Sequence, residues 1–273
     1  MRRWTAPGYY AYSILEMMIW FKNWPALVRL FLRKPGTHAQ KIKLRRPHID
    51  LLVRGPMDVW SVKETFIDQF YTRYGTPVED GWTVVDIGAG IGDYCLYAAL
   101  GLPAVTVYAF EPFPDSFALL ERNLALNGVE NVHAFQKAVW SKEGELYLDL
   151  STGEPLQISS QAGNDVTASA AQLAVEAVTL QTLCFGEMLE RVDLLKMDCE
   201  GGEYEILFNT PGDVLQRIKR IIMEYHDLDE QKSHRKLASF LEEQGYKVIC
   251  FPNFVHHEIG YLFAERNINV RSK

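Results

Sequence analysis

The chain of 273 residues has few of the features that mark a secreted or membrane-spanning protein. Its four cysteines are widely spaced, which excludes a zinc-ligand spacing and a disulfide framework (Cys95, Cys184, Cys199 and Cys250). Its apolar runs are shorter than the ~20 residues that a membrane-spanning helix needs. The sequence therefore predicts a cytoplasmic protein, with a peripheral position at the membrane as an open alternative.

Acidic residues are nearly absent from residues 1–46, which hold ten Lys and Arg against the single Glu16. The remaining residues hold 18 basic against 34 acidic side chains. An acidic main body excludes nucleic acid as a partner, because a phosphate backbone requires a basic surface. An anionic partner is expected to meet the N-terminal segment.

The N-terminal segment, residues 1–46, predicts two short apolar helices. The first is "YYAYSILEMMIWF", and the second begins at Pro25, which suits the first turn of a helix. Two interpretations stay open. The helices pack on the rest of the chain or on a second copy in a homodimer, or they lie in a membrane interface with their basic residues at acidic lipid.

Residues 47–273 alternate between strand and helix patterns and predict one α/β domain. Val-rich strands separated by helices are typical of a mostly parallel sheet that helices cover on both faces. A single helix is expected from Ser61 to Gly75. The polar stretch 151–174 lies between two strand patterns and is predicted to be a mobile excursion above the sheet.

A glycine-rich turn follows the first strand of this domain in "VVDIGAGIGDYCLYAA". It lacks the Lys and Ser or Thr of a nucleoside-triphosphate loop, and its G-x-G-x-G spacing departs from the dinucleotide pattern G-x-G-x-x-G. Asp86 and Asp93 beside the turn would repel a pyrophosphate and attract a cationic ligand. S-adenosylmethionine carries such charges.

Glu111 ends the next strand, 19 residues after Gly92. An acidic side chain at this position of an α/β fold accepts hydrogen bonds from ribose hydroxyls. NAD shares that requirement, so an NAD-dependent oxidoreductase is the alternative enzyme class.

Six segments between Ile42 and Arg266 together resemble the FkbM-type S-adenosylmethionine-dependent methyltransferases: "VVDIGAGIGDYCLYAA", "YAFEPFPDSFALLERNLALN", "AVW", "GELYL", "LLKMDCEGGEYEIL" and "IIMEYH". "LLKMDCEGGE" is the most specific, resembling the signature K-I-D-x-E-G-x-E with Met197 and Gly202 as mild departures. The resemblance implies a class I, Rossmann-like fold of seven strands with the last one antiparallel. It also implies O-methylation of a hydroxyl on a sugar, glycolipid or polyketide-like molecule. A membrane-attached, non-catalytic binding protein on the same scaffold is the other alternative.

The predicted cofactor-binding residues lie on the glycine turn and at strand ends (Asp86, Gly88, Gly90, Gly92, Glu111, Pro112, Ala138 and Asp198). Lys196, Asp198 and Glu200 alternate, so an extended strand would place all three on one face. They either open into a site or form a structural ion pair in which Lys196 neutralises the carboxylates.

The predicted catalytic residues are Asp198, Glu200, Glu224 and His226, with no metal required. Methyl transfer to an alcohol needs alignment and removal of a proton, and His226 has a suitable ordinary pKa of about 6.5. His226 could equally bond a neighbouring carbonyl group. A divalent metal held by Asp198, Glu200 and His226 stays as an alternative. His256 and His257 are expected at the surface.

Overall fold

The computed structural model describes residues 6–32, 39–149, 159–161, 172–185, 189–253 and 256–266. In chain order the elements are α1 (Ala6–Trp20), α2 (Trp24–Leu32), β1 (Gln40–Lys43), β2 (Asp50–Val53), α3 (Pro56–Lys63), a π-helical turn (Glu64–Asp68), α4 (Phe70–Tyr74), β3 (Thr83–Ile87), α5 (Asp93–Ala99), β4 (Thr106–Phe110), α6 (Pro114–Leu126), β5 (Val132–Phe135), β6 (Ala138–Val139), β7 (Gly144–Asp149), β8 (Ser159–Gln161), β9 (Gln172–Val178), α7 (Leu180–Phe185), β10 (Leu194–Met197), α8 (Glu203–Phe208), α9 (Gly212–Leu215), β11 (Arg220–His226), α10 (His234–Glu243), β12 (Tyr246–Pro252) and β13 (Ile259–Arg266).

A seven-stranded sheet organises the domain in the order β12-β13-β11-β10-β3-β4-β5. Strands β3, β4, β5, β10 and β11 are parallel, while β13 runs antiparallel to both of its neighbours. Successive residues of a strand point to opposite faces, and Val84 and Val85 accordingly enter two separate apolar cores. The two-sided burial explains the continuous apolar strand patterns and confirms the predicted class I, Rossmann-like fold.

A second sheet of four strands, in the order β6-β9-β7-β8, follows β5 along the chain. The sequence patterns predicted strands here without predicting that they pair with one another. Most of the polar stretch 151–174, with its predicted mobility, lies outside the described residues.

The N-terminal segment forms the two expected helices, and both pack against the domain. Ser13 and Met17 are the buried side of α1, Phe21 is buried directly after the helix, and Leu27 and Leu30 anchor α2. The predicted division at residue 46 falls between β1 and β2, which pair as an antiparallel hairpin. The division therefore does not separate two cores, because this segment shares the apolar core of β3.

The expected helix from Ser61 to Gly75 is wrong in detail, because helix α3 already begins at Pro56 and the helical path is interrupted at Gln69. Gln69 takes a left-handed backbone conformation with φ of 52° after the π-helical turn. The interruption separates α3 from α4 and redirects the chain, which decides where the side chains of both helices point. Within the described residues, no helix combines the length and apolar character needed to cross a membrane.

Asn123 connects α6, the hairpin strand β2 and the glycine turn. Its buried amide accepts a hydrogen bond from Leu52 N (2.7 Å) and donates to Leu52 O (3.2 Å) and Ile91 O (2.9 Å). We expect Asn123→Ala to lower the free energy of unfolding by about 1–3 kcal/mol, because it leaves these buried backbone groups unpaired.

Urea-induced unfolding measures this loss, and Asn209→Ala, at an exposed asparagine with one bond to Glu205 O, is the matched control. The control should change the unfolding free energy by less than about 0.5 kcal/mol. Equal effects of the two variants would contradict the connecting role of Asn123.

Candidate active site

A cavity of about 650 Å³ lies at the carboxyl ends of β3, β4, β10 and β11. From β3 the sheet continues through β4 on one side and through β10 on the other. Open α/β sheets bind ligands at this reversal of strand order. The cavity therefore occupies the position that the fold makes available for a ligand.

The glycine turn forms one wall of the cavity, and two of its glycines have no room for a side chain. A Cβ atom on Gly88, where φ is +74°, would lie 1.9 Å from the Asp198 carbonyl oxygen. At Gly92, where φ is +81°, a Cβ would lie 2.9 Å from Leu120 Cγ. Gly88 and Gly90 line the cavity, whereas Gly92 lies outside its lining and allows α6 to approach.

Glu111 stands at the end of β4 and lines the same cavity with Pro112 and Ala138. Its carboxylate accepts hydrogen bonds from the backbone N–H groups of Gly90 (2.8 Å) and Phe113 (2.8 Å). Burial raises the pKa of Glu111 to about 7, although these two N–H donors act in the opposite direction. The side chain is thus held in place at the opening of the glycine turn.

Asp86 was expected to contact the ligand, but the structure places it beneath the glycine turn, outside the cavity lining. Its fully buried carboxylate lies 2.9 Å from Lys196 Nζ and accepts a hydrogen bond from Cys95 Sγ. Lys196 also donates to Gly88 O at 3.0 Å. The expectation is corrected because the register pairs Asp86 with Lys196 on adjacent strands.

The alternation of Lys196, Asp198 and Glu200 on one strand is also corrected. Strand β10 ends at Met197, and Glu200 lies in a turn with φ of 51°. All three side chains nevertheless line the cavity. Asp198 is oriented by the Tyr71 hydroxyl, which donates to its carboxylate at 2.9 Å.

Four carboxylates and one histidine crowd the inner part of the cavity: Glu64, Asp198, Glu200, Glu224 and His226. Burial and the charge of Asp198 raise the pKa of Glu200 to about 7 and that of Glu64 to about 8. The same two causes raise the pKa of Glu224 well above its ordinary value. Because neighbouring ionised carboxylates repel one another, these groups resist ionisation, and a positively charged ligand would favour their ionised forms. The cavity therefore suits a cation.

His226 differs from the base that its ordinary pKa suggested. Burial alone would lower its pKa, but the carboxylates of Glu203, at 3.6 Å, and Glu200, at 3.5 Å, raise it to about 10. His226 is therefore a cation at neutral pH, and it partly offsets the charge of the carboxylates.

One potential ligand atom each from Asp198, Glu200 and His226 lies within 4.8 Å of the others. The geometry thus brings together the three side chains of the metal alternative. The ion pair of His226 with Glu200 and the hydrogen bond from Tyr71 to Asp198 also account for the arrangement without a metal. His256 and His257 are exposed, as expected, with His256 at the rim of the cavity.

The cavity residues that were missed from the sequence include Glu64, Tyr71 and Trp140. Glu64 precedes and Tyr71 follows the interruption of the helical path at Gln69. No pattern in the sequence predicted this interruption. Trp140 is buried, and its indole N–H has no acceptor among the described residues. The one signal for Trp140 in the sequence was its position in "AVW", a segment that resembles the methyltransferase family.

The strand order, the glycine turn after β3 and the acidic residue that ends β4 define a class I methyltransferase fold. The profile of the methyltransferase FkbM domain matches residues 86–248. The chain therefore belongs to the FkbM methyltransferase family, and the protein is a methyltransferase.

The chain is similar to several individual proteins. The chain is 28% identical to the 31-O-demethyl-FK506 methyltransferase FkbM of Streptomyces tacrolimicus, over 75% of this chain and 88% of the relative. It is 30% identical to Methyltransferase 1 of Beauveria bassiana, over 68% of this chain and 80% of that relative. It is 24% identical to the hexuronic acid methyltransferase AglP of Haloferax volcanii, over 83% and 89%. A solved S-adenosylmethionine-dependent methyltransferase from Aquifex aeolicus aligns with a TM-score of 0.41 at 16% identity, over 75% and 92%.

Because Asp86 and Lys196 form a buried ion pair, Asp86→Ala should lower the free energy of unfolding by about 3–5 kcal/mol. The loss arises because Lys196 is left buried without its counter-charge. The double variant Asp86→Ala with Lys196→Met should lose less, since it removes both charges. Urea-induced unfolding of the unmodified protein and of both variants measures these free energies. If Asp86→Ala left the stability unchanged but weakened ligand binding, Asp86 would contact the ligand, as the sequence predicted.

Proposed function

We propose that the protein transfers a methyl group from S-adenosylmethionine to a hydroxyl group of a glycan-like or polyketide-like small molecule. The acidic character of the cavity is the observation that carries the proposal. Lys196, the lysine of the lining, already pairs with Asp86, whereas Glu64, Asp198, Glu200 and Glu224 face the cavity. Such a site suits a ligand with ammonium and sulfonium charges and disfavours the pyrophosphate of NAD.

The residues present fit this cofactor at two places. Glu111 stands where an acidic side chain of an α/β fold accepts ribose hydroxyls, and its backbone donors hold it there. Asp198, fixed by Tyr71, lies at the carboxyl end of β10 beside the glycine turn, where it would face the cationic part of the ligand. The NAD-dependent oxidoreductase has no comparable support, since the family match is to methyltransferases.

The relatives suggest the class of acceptor. One is named for O-methylation of an FK506 precursor and another for methylation of a hexuronic acid. Both names describe oxygen-rich small molecules. We therefore propose a hydroxylated sugar, glycolipid or polyketide-like compound as the acceptor.

Proton removal from the acceptor is assigned to Glu200. S-adenosylmethionine supplies an electrophilic methyl group, and the acceptor oxygen must lose its proton as it takes up that methyl group. Glu200 has a pKa of about 7, whereas His226, with a pKa of about 10, already carries a proton at neutral pH. A base acts best when its pKa lies near the working pH. His226 then serves as the cation that keeps the pKa of Glu200 from rising further.

Cofactor choice is tested by thermal unfolding. S-adenosylhomocysteine and S-adenosylmethionine should raise the melting temperature, and a ligand at 100 times its dissociation constant adds about 2.7 kcal/mol. NAD should have no effect. Glu111→Ala should remove most of the stabilisation by removing the ribose acceptor, while Glu258→Ala, at the exposed rim, should keep it. Stabilisation by NAD alone would contradict the methyltransferase proposal.

The role of Glu200 predicts how turnover depends on pH. Because Glu200 must be ionised to accept a proton, turnover should rise as the pH increases through about 7 and then level off. Glu200→Gln should lower turnover at least about tenfold and remove this rise. His226→Gln should instead shift the rise to higher pH, because it removes the positive charge that lowers the pKa of Glu200. Turnover is followed by uptake of radiolabelled methyl groups.

Two results would overturn the assignment of Glu200. If His226→Gln abolished the rise and Glu200→Gln preserved it, His226 would be the base. If a strong chelator abolished turnover and Mg²⁺ restored it, the three clustered side chains would hold a metal ion instead. Asp213→Asn, at a carboxylate outside the cavity, is the control for non-specific effects of charge removal.

A further inference from the structure

Helix α1 is apolar around almost its whole circumference, although the domain covers only one side of it. Ser13 and Met17 are buried on α1, as is Phe21 directly after the helix. On the uncovered side, Leu15 and Ile19 are 59% and 67% exposed. A helix that is apolar all round is normally buried within a protein core or a membrane. The uncovered side of α1 therefore lacks a partner among the described residues.

Helix α2 extends the same feature. Leu27 and Leu30 are buried, while Val28, Phe31 and Leu32 are exposed. Nine of the fourteen exposed large apolar side chains in the described part of the chain belong to α1 and α2, which is a concentration and not a random scatter. We define the apolar face as eight of these residues: Ile14, Leu15, Met18, Ile19, Trp24, Val28, Phe31 and Leu32.

Basic side chains border the apolar face. Lys22 lies between α1 and α2, and Arg29 lies on α2 beside Val28; both are exposed. The backbone of Trp20 and Lys22 bonds to that of Arg45 and Lys43, which brings the end of α1 next to the exposed basic residues of the hairpin. These are Lys41, Lys43, Arg45 and Arg46. Glu16, the acidic residue of α1, is turned towards the buried Lys63, with 3.5 Å between their charged groups.

The apolar face reaches the mouth of the cavity. Phe31 belongs to both the face and the cavity lining, and the exposed Met57 of α3 lines the cavity beside it. An acceptor held at Phe31 and Met57 would therefore lie at the cavity.

We propose that the apolar face docks on an anionic membrane surface, with its apolar side chains in the headgroup region and the basic residues at acidic lipid. Interfacial helices combine apolar and basic sides in this way. The inference deepens the proposed function, since it assigns a membrane-held, lipid-linked acceptor to the enzyme.

Charge decides between a membrane and a second copy of the chain. In a two-fold symmetric dimer through this face, the same surface meets itself, so one interface would hold Lys22 and Arg29 of both copies. Like charges at such an interface oppose association. An acidic lipid surface instead offers an opposite charge to every one of these residues.

The test is cosedimentation of the full chain with vesicles of phosphatidylcholine alone or mixed with phosphatidylserine. Binding should be stronger to the mixed vesicles and weaken as salt rises, because the screening length is roughly 8 Å at physiological salt. Each basic residue near the surface contributes about a fivefold factor in partitioning, so Lys22→Glu with Arg29→Glu should reduce binding at least about tenfold.

A second variant separates apolar insertion from charge. Leu15→Ser with Ile19→Ser and Leu32→Ser leaves the charge unchanged and should abolish binding, whereas Leu228→Ser with Ile249→Ser, at exposed apolar residues elsewhere, should leave binding unchanged. Stabilisation by S-adenosylhomocysteine should be the same in all variants, which shows that each is folded and that the cofactor site is intact.

Three outcomes would overturn the membrane proposal: no sedimentation with acidic vesicles at low salt, equal binding by the triple variant, or a dimer in solution that the triple variant dissociates. Each leaves the methyltransferase proposal standing, because cofactor stabilisation and turnover are measured without vesicles. If S-adenosylhomocysteine failed to stabilise the unmodified protein, that result would instead contradict the proposed function.

Discussion

The buried pair of Asp86 and Lys196 joins the two central strands of the sheet directly beneath the cavity. The register places the two residues opposite each other, and Lys196 also bonds the carbonyl oxygen of Gly88. The aromatic rings of Tyr71 and Tyr94 lie 5.3 and 5.8 Å from the Lys196 ammonium group. The pair thus connects both strands, the glycine turn and α4. A charged lysine is tolerated at this depth only because these groups surround it.

This pair also decides the charge of the site. A free lysine in the cavity would neutralise the nearby carboxylates and attract an anion, but Asp86 already balances the charge of Lys196. His226 is the cation that lowers the pKa of Glu200 and of Glu224, while Lys196 also attracts Asp198. Burial and the neighbouring charge of Asp198 together raise the pKa values of Glu200 and Glu224. A bound cation would relieve the repulsion, so ligand binding and ionisation of the carboxylates favour one another.

Much of the fold could be predicted from the sequence, because parallel strands and amphipathic helices leave strong periodic signals. The bounds of α8 and β11 match the sequence patterns residue by residue. The role of Asp86 could not be predicted, since a carboxylate beside a glycine turn has the same pattern whether it points into a cavity or beneath it. Only the register between β3 and β10 distinguishes the two.

For the predicted catalytic residues, the sequence indicated their location but not their protonation. The sequence brought Asp198, Glu200, Glu224 and His226 into one hypothesis because they end neighbouring strands. It could not assign their protonation, which depends on distances such as the 3.6 Å between His226 and Glu203. Glu64 escaped notice because a π-helical turn, and not a regular helix, carries it into the cavity.

The N-terminal helices form part of the protein surface and also help to position a wall of the cavity. Glu16 of α1 pairs with Lys63, which is fully buried and also pairs with Asp68. Lys63 ends α3, and the next residue is Glu64, which lines the cavity. The position of α1 is therefore coupled through two ion pairs to the π-helical turn that presents Glu64. Because Glu16 is one of the few polar residues of an otherwise apolar helix, its inward orientation also explains why the outer side of α1 is left almost entirely apolar.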